Sequence, residues 1–219
     1  TAATGMMAQE MNVQVISNNV ANMRTTGFKR QRVNFQDLLY EQYRRAGTPT
    51  SEQNNQIPSG VFVGAGVKTV STPRIMNQGN LSPTEKSYDL AIRGEGFLRV
   101  ALPDGRTAYT RDGSLDLDSQ GRLVTPEGNL IDPGITIPNN ATSVAISNLG
   151  VVSALVPGNT QPQQIGVITL SRFINKTGLE SIGDNLYLET AGSGTAIDGA
   201  PGSEGFGNIQ HCLLYTSDA

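Results

Sequence analysis

Four side chains that carry oxygen lie in one short stretch of this sequence, at the spacing of a calcium-binding loop. The stretch follows the pattern D-x-D-x-Q-G and has a carboxylate at its twelfth position. Calcium is a hard cation that binds carboxylate and amide oxygens, and a glycine at the sixth position provides the sharp turn that gathers them. One interpretation is therefore a calcium site, with the candidate ligands Asp116, Asp118, Gln120 and Glu127.

The competing interpretation of this loop is a solvated β-turn. Pro126 stands where the exiting helix of a calcium loop begins, and Gln120 replaces the usual aspartate or asparagine. The residues on both sides of the loop also have strand patterns. We favour the turn, and we expect no metal.

The other residues that could do chemistry form weaker patterns. Gly94-Glu95-Gly96 is half of a dinucleotide-binding fingerprint, but a strand pattern follows it instead of a helix whose N-terminus could hold phosphates. His211 is the only histidine and adjoins the only cysteine, Cys212, so the sequence has no set of residues for a catalytic triad or a zinc site. A carboxylate pair of the glycosidase type stays open, because one sequence gives no distances. We predict no enzyme and no cofactor.

Composition and charge narrow the classes of partner. The formal charge of −3 and a pI near 5.2 provide no attractive field for phosphates, so we expect no nucleic-acid binding. With 37% apolar and 16% charged residues the chain is globular, and 25 glycines and 11 prolines predict many turns. No apolar run approaches the roughly 20 residues that cross a bilayer, and we expect no cleaved signal peptide.

The N-terminal residues have the pattern of an amphipathic helix. Apolar residues recur at alternating spacings of four and three, which forms a coiled-coil seam with one polar break at Gln9. A second stripe runs beside the seam at Met7, Met11 and Val15. One partner helix would cover a single narrow seam, so the wider apolar face predicts more than one neighbour. The seam residues are Ala2, Met6, Gln9, Val13, Ile16, Val20 and Met23.

The end of this helix is rich in asparagine. Each of Asn18, Asn19 and Asn22 costs about 0.7 kcal/mol of helix propensity relative to alanine, so packing or hydrogen bonds between helices should offset that cost. Gly27 fits the left-handed position after a helix, and Phe28 can fold back on the last turn, so we predict that these two residues set the helix end. The alternative is an ordinary surface helix with solvated asparagines. The predicted subunit interface is Met6, Val13, Ile16, Asn18, Asn19, Val20, Asn22 and Met23.

The middle of the chain has the pattern of a β domain. Short strand patterns alternate with turn signals from Tyr88 to about Glu189, and residues 89–93 alternate in polarity. Turns every eight to twelve residues or so are typical of an antiparallel sandwich or an irregular barrel. Before this domain, residues 47–66 have the composition of an extended connector, with strand pieces at 61–63 and 67–70. The predicted fold class is therefore α+β, mainly β.

Several motifs of this chain resemble the bacterial flagellar rod and hook proteins. The asparagine-rich helix end followed by Thr-Thr-Gly-Phe-Lys resembles the N-terminal signature of that family. The later motifs resemble the distal rod subunit more than the proximal rod or hook subunits, and together they extend to about Gln210. The motifs are Ser17–Asn22, Thr25–Lys29, Arg30–Arg32, Phe35–Tyr40, Pro58–Gly60, Gly64–Val67, Gln78–Leu81, Gly94–Phe97, Tyr109–Gly113 and Thr177–Gly183.

This resemblance implies a structural subunit of the distal rod that assembles into a helical tube and transmits torque. Its implied partners are copies of itself, the proximal rod and hook subunits, the peptidoglycan-ring and outer-membrane-ring proteins, and the flagellar type III export apparatus. The implied location is the basal body where it spans the periplasm, with export without a cleaved signal. The implied segments are an axial helix at 1–28, an extended connector at 29–86, an outer β domain at 87–189 and a return segment at 190–210.

The end of the sequence departs from the family pattern. A second long helix is expected there to pair with the first, but residues 211–219 do not match it, so we expect these nine residues to be foreign and both ends to be truncated. Two alternatives stay open for the function. One is a hook or proximal-rod subunit, and the other, from another class, is a secreted β-sandwich domain that binds or acts on glycans.

Overall fold

A computed structural model describes residues 1–47, 58–84, 86–158, 160–211 and 213–215. Of residues 213, 214 and 215 it describes the backbone only. The chain divides into two units. The first unit contains residues 1–21 and 31–75, and the second contains residues 22–30 and 76–219. The segment directly after the first helix thus belongs to the second unit. Part of the predicted connector, residues 48–57, lies outside the described residues.

The described residues of the first unit form one helix and two antiparallel ribbons. Strand β1 pairs with β4, and β2 pairs with β3, so the predicted strand pieces at 61–63 and 67–70 are confirmed. Helix α1 packs against β4, and an isolated bridge joins Gln31 to Arg74. The elements are α1 Ala2–Ala21, β1 Asn34–Asp37, β2 Tyr40–Arg44, β3 Val61–Gly64 and β4 Val67–Ser71.

The second unit is built on one large antiparallel sheet. Its strands follow the order β16-β17-β8-β7-β11-β10-β9, and β15 also pairs with β7 and with β18. The described residues of this unit also form a three-stranded sheet, β12-β13-β14, and two pairs, β6 with β19 and β5 with β20. The strands are β5 Leu81–Pro83, β6 Leu90–Arg93, β7 Phe97–Ala101, β8 Thr107–Thr110, β9 Asp116–Leu117, β10 Leu123–Val124, β11 Leu130–Asp132, β12 Ser143–Ile146, β13 Val151–Leu155, β14 Gln163–Val167, β15 Leu170–Arg172, β16 Glu180–Gly183, β17 Leu186–Leu188, β18 Ile197–Gly199, β19 Asn208–His211 and β20 Leu213–Tyr215, with a 3-10 turn at Lys176–Gly178.

The hydrophobic core lies in the second unit. It is built from branched aliphatic side chains on facing strands, and a smaller aromatic cluster packs edge to face beside it. Strand β13 alternates between buried and half-buried residues, as a strand covered on one face should. Residues 89–92 are all buried, so the alternation predicted for 89–93 is wrong, because both faces of this segment are covered. The largest fully buried residues include Phe97, Leu90, Ile92, Leu98, Leu115 and Leu123.

The predicted fold class, α+β and mainly β with antiparallel strands, is confirmed. In the described part of the chain, α1 is too polar to qualify as a membrane span. The predicted return segment at 190–210 carries β18 and most of β19, which pairs with β6. His211 ends β19, and its Nε2 atom lies within hydrogen-bonding distance of the Ser87 carbonyl oxygen. Cys212 and residues 216–219 of the predicted foreign tail lie outside the described residues.

Candidate assembly surface

Helix α1 contacts the rest of its unit through a narrow face of small and polar side chains. Ala8 and Val15 are buried there, and the Thr4 hydroxyl lies 3.5 Å from the Val67 backbone N–H that donates to it. Thr4 also approaches Gly66, where a Cβ atom would lie 3.2 Å from the Cβ of Thr4. The helix therefore lies directly on the backbone of the ribbon because position 66 has no side chain.

Asn19 forms two hydrogen bonds to Gln31 at the C-terminal end of this packed face. Its Nδ2 donates to the Gln31 carbonyl oxygen at 2.8 Å, and its Oδ1 accepts from the Gln31 N–H at 2.9 Å. Both halves of the amide are thus bonded within the chain, which offsets the helix propensity that an asparagine loses. The role of Asn19 in a subunit interface stays a prediction, and its bonds within the unit are an additional role that sequence reasoning missed.

The apolar seam of α1 lies on a different face and is exposed. Met6, Val13, Ile16 and Val20 expose between 52% and 69% of their surfaces. Each residue advances about 100° around a helix, so this seam is centred roughly 120° from the face that holds Ala8 and Val15. Met7 and Met11 of the predicted second stripe are exposed too, whereas Val15 of the same stripe is buried. Glu10 is the single charged residue of the helix.

The helix ends earlier than the sequence analysis predicts. Helix α1 ends at Ala21, six residues before Gly27. The Asn22 carbonyl oxygen accepts from the Thr25 N–H at 3.0 Å, and the Asn22 side chain accepts from the Thr25 hydroxyl at 3.2 Å, so the chain turns there. Met23 is exposed just beyond the helix end, and Asn18 is exposed within its last turn.

Gly27 does have the left-handed backbone that was predicted, with φ of 72°. It is buried, and a Cβ atom on it would lie 2.9 Å from the Asp112 nitrogen. The structure thus gives this glycine a close approach to the β domain, in the turns that follow the helix. Phe28 donates its N–H to the Thr25 carbonyl oxygen at 3.2 Å within the same turns.

The candidate calcium loop is organised by an arginine. Asp118 Oδ1 accepts from the N–H groups of Gln120 and Arg122, both at 2.9 Å, and Oδ2 lies 2.7 Å from the Arg122 guanidinium. The Arg122 N–H, with the other hydrogen bonds, lowers the pKa of Asp118. Asp116 lies 3.6 Å from the Lys86 ammonium, and Glu127 is exposed. Among the described residues, no group of three or more histidine, cysteine, aspartate or glutamate side chains could hold a metal ion. The preference for a solvated β-turn without a bound metal stays a prediction.

Gly94-Glu95-Gly96 forms a turn that a buried arginine holds. The Arg111 guanidinium donates to the carbonyl oxygens of Gly96 at 2.8 Å and Gly94 at 2.9 Å. It also donates to Ile92 at 3.2 Å and lies 5.9 Å from the centre of the Phe97 ring. This half-motif leads into strand β7, and its carbonyl groups are bound within the chain.

The ribbon of β2 and β3 carries a second exposed apolar surface in the first unit. Tyr40, Tyr43, Val61, Phe62 and Val63 each expose about half of their surface or more. A two-stranded ribbon is marginally stable by itself in water. Sequence reasoning treated this region as a connector and missed these side chains. Their aromatic and β-branched types at strand spacing were the available signal.

Two models of known protein families match parts of this chain, one at the helix and one in the β domain. The family model described as "Flagella basal body rod protein" matches residues 1–29, and the model described as "Flagellar hook protein FlgE/F/G D1 domain" matches residues 91–154. These matches place the chain among the rod and hook proteins of the bacterial flagellum.

Individual relatives show which protein of this class the chain is similar to. The flagellar basal-body rod protein FlgG of Caulobacter vibrioides is 54% identical over 96% of this chain and 81% of its own length. FlgG of Buchnera aphidicola subsp. Acyrthosiphon pisum is 50% identical over 98% of this chain and 82% of its own length. The hook protein FlgE of Treponema pallidum is 39% identical, over 59% of this chain and 27% of its own length. The chain belongs to the flagellar basal-body rod protein family FlgG, and the prediction of a distal rod structural subunit is confirmed.

Proposed function

We propose that this chain assembles with copies of itself into the distal rod, and that neighbouring copies bury the exposed seam of α1. The observation that supports this proposal is the exposure of Met6, Val13, Ile16 and Val20 on a helix that carries one charge. Exposed apolar patches of this kind mark interaction surfaces in soluble proteins. Contacts that repeat head to tail without closing a ring generate a helical filament, which is the architecture that a rod requires.

The predicted interface around the seam is part of the same proposal. Asn18, Asn22 and Met23 would meet neighbouring subunits close to the helix end, and Asn19 would keep its bonds to Gln31. Mutual burial of many helix faces would give the tube its torsional stiffness, so that torque passes from the motor to the hook. The segments proposed for this role are an axial segment at 1–28 whose helical part is α1, a connector at 29–86, an outer β domain at 87–189 and a return segment at 190–210.

The remaining partners are proposed from family membership. A subunit of the distal rod belongs to a tube that meets the proximal rod and the hook at its ends. The peptidoglycan-ring and outer-membrane-ring proteins surround this tube. It reaches this place across the periplasm through the flagellar type III export apparatus, without a cleaved signal. The role is structural, so we propose that the chain is not an enzyme and needs no cofactor.

The test is a pair of lysine substitutions at adjacent positions of α1. Val13→Lys places a charge in the exposed seam, and Gln14→Lys places the same charge about 100° further around the helix, four residues after Glu10. Each variant of the natural gene is expressed in a bacterium that lacks its own copy, and swimming and rod formation are scored. We expect Val13→Lys to abolish both, and Gln14→Lys, which lies outside the seam but beside Met7, to retain much more of both. Normal rods with Val13→Lys would refute the proposed interface.

A further inference from the structure

The segment directly after α1, residues 22–30, is held on the β domain by contacts from three separate parts of the second unit. At one of them, Gly27 meets the backbone of Asp112, where even a Cβ atom on Gly27 would lie only 2.9 Å from the Asp112 nitrogen. Any larger residue at position 27 would have to push the two segments apart. Two stretches that are distant in sequence, Thr25–Lys29 and Tyr109–Gly113, therefore pack backbone to backbone.

A second contact comes from the turn between β16 and β17. Asn185 Nδ2 donates to the Thr26 carbonyl oxygen at 2.8 Å and lies 3.4 Å from Asp112 Oδ2. The Asn185 carbonyl oxygen accepts from the Thr110 hydroxyl at 2.9 Å, which fixes the turn to β8. The side-chain amide of Asn185 thus contacts both Thr26 of the segment and Asp112 of the β domain.

The backbone of this turn would also admit glycine, so the side-chain amide of Asn185 can be removed without straining the loop. Gly183 pairs with Leu186, so Asp184 and Asn185 form a two-residue hairpin loop. Their φ angles are 50° and 56°, and glycine is the residue that adopts such angles at least cost. An asparagine at this position accepts some backbone strain and supplies the amide that bonds Thr26.

The third contact is a buried lysine. Lys29 is 7% exposed, and its ammonium donates to the Asn77 carbonyl oxygen. Lysine is almost never this buried unless its charge is bonded. The segment is therefore fixed at Thr26, Gly27 and Lys29, three points within four residues.

We propose that Gly27, Lys29, Asp112 and Asn185 form a clamp that fixes residues 22–30 to the β domain, with Asn185 as its positioning residue. The chain leaves the second unit at both ends of this segment, after residue 30 and before residue 22. The clamp therefore fixes both ends of the segment, residues 22 and 30, where the chain passes from one unit to the other. In an assembled rod, a load on the helix would then reach the β domain through bonded atoms instead of a loose linker.

The test compares two glycine substitutions in the same hairpin loop. Asn185→Gly keeps a backbone that glycine adopts freely but removes the amide, whereas Asp184→Gly relaxes the same loop and leaves that amide in place. Hydrogen–deuterium exchange of this chain is followed at the Thr25 and Phe28 amides, which are hydrogen-bonded within the segment. Losing one hydrogen bond of ordinary strength should raise their exchange about fivefold in Asn185→Gly. Exchange in Asp184→Gly should stay within about twofold of the wild type, and amides of β7 and β8 should not change in either variant.

Equal exchange of residues 22–30 in the wild type and Asn185→Gly would overturn the clamp, as would an equal rise in Asp184→Gly or a rise spread over the whole β domain. Gly27→Ala is a second route to the same local rise, because it displaces the segment from Asp112.

A second experiment, the swimming of cells, rests on the proposed function. In cells, Asn185→Gly should reduce swimming while Asp184→Gly does not, and normal swimming of a variant with raised exchange would overturn the positioning role. The exchange measurement needs no assembly, so its failure is distinct from a failure of the proposed interface.

Discussion

Burial raises the pKa of Asp112 above its ordinary value of 3.8. The Ser114 N–H and hydroxyl donate to its Oδ1 at 2.9 and 2.7 Å and lower the pKa, as does Asn185, while the charge of Glu127 raises it. Because the folded pKa lies above the unfolded one, Asp112 favours folding below about pH 3.8. That contribution is lost as the pH rises through the folded pKa.

Asp112→Asn should therefore gain stability relative to the wild type as the pH rises from about 3.5 to 7. The variant removes the buried charge but keeps an oxygen for Ser114. Urea unfolding at several pH values gives the free energy of unfolding of both proteins. The control is Asp104→Asn, because hydrogen bonds from the Arg106 N–H and side chain lower the pKa of Asp104, so this variant should lose stability relative to the wild type over the same range. Two parallel slopes would contradict the assignment.

The role of Arg111 can also be tested with a single substitution. It is 5% exposed, and its guanidinium bonds three carbonyl oxygens around the turn at residues 94–96. Arg111→Lys offers one ammonium where a planar fork bonded three acceptors, and buried carbonyl groups left without donors are costly. We expect a loss of about 3 kcal/mol in the free energy of unfolding, measured with urea. Arg106→Lys, at an exposed arginine, should change it by less than about 0.5 kcal/mol.

At the scale of elements, the docking of α1 depends on one glycine of the ribbon. Gly66 has φ of 129°, and the Thr4 side chain occupies the place of its missing Cβ. Ala8 and Val15 add little apolar area, so a displacement of this contact should free the helix. Isolated helices of this length are marginal in water.

Gly66→Ala should undock α1 at a cost of about 1–3 kcal/mol, partly from backbone strain and partly from the collision with Thr4. The expected result is faster hydrogen exchange along α1 and lower helical circular dichroism. Gly47→Ala is the matched control, because Gly47 has φ of 82° but open space around its Cβ position. If both substitutions affect the helix equally, strain alone explains the effect and the contact with Thr4 does not.

At the scale of the whole molecule, the two units differ in how much they bury. Among the described residues of the first unit, Ala8 and Val15 are the buried apolar ones, whereas the second unit contains the aliphatic core and the aromatic cluster. Apolar burial is the main favourable contribution to folding. The first unit should therefore have the lower stability until other subunits cover it.

We predict that the two units of the isolated chain open separately. Amides of α1 and β1–β4 should exchange with deuterium through openings of low free energy, and amides of β7 and β8 should exchange only with global unfolding. Exchange measured at increasing urea separates the two classes. One common free energy of opening for both units would contradict this prediction. In assembled rods the first unit should become protected.

Local patterns predicted much of this molecule, and they failed where distant segments meet. The strand pieces at 61–63 and 67–70, the antiparallel β domain and the left-handed Gly27 were predicted, because periodicity and turn chemistry act over a few residues. The alternation at 89–93 and the helix end at Gly27 were wrong. Coverage of both faces of a strand depends on elements far away in sequence. The turn at Asn22 and Thr25 depends on side-chain hydrogen bonds that helix periodicity does not report.

The amino-acid sequence by itself determined the family and the apolar seam of α1, since both depend on residue types at fixed spacing. The tertiary structure alone decided which face of the helix is covered, that Asn19 bonds Gln31, and that Gly27 and Asn185 meet over Asp112. The physical reason is that each of these contacts joins residues 12 to 159 positions apart. The register and packing of the whole chain bring such residues together, and no local pattern encodes that distance.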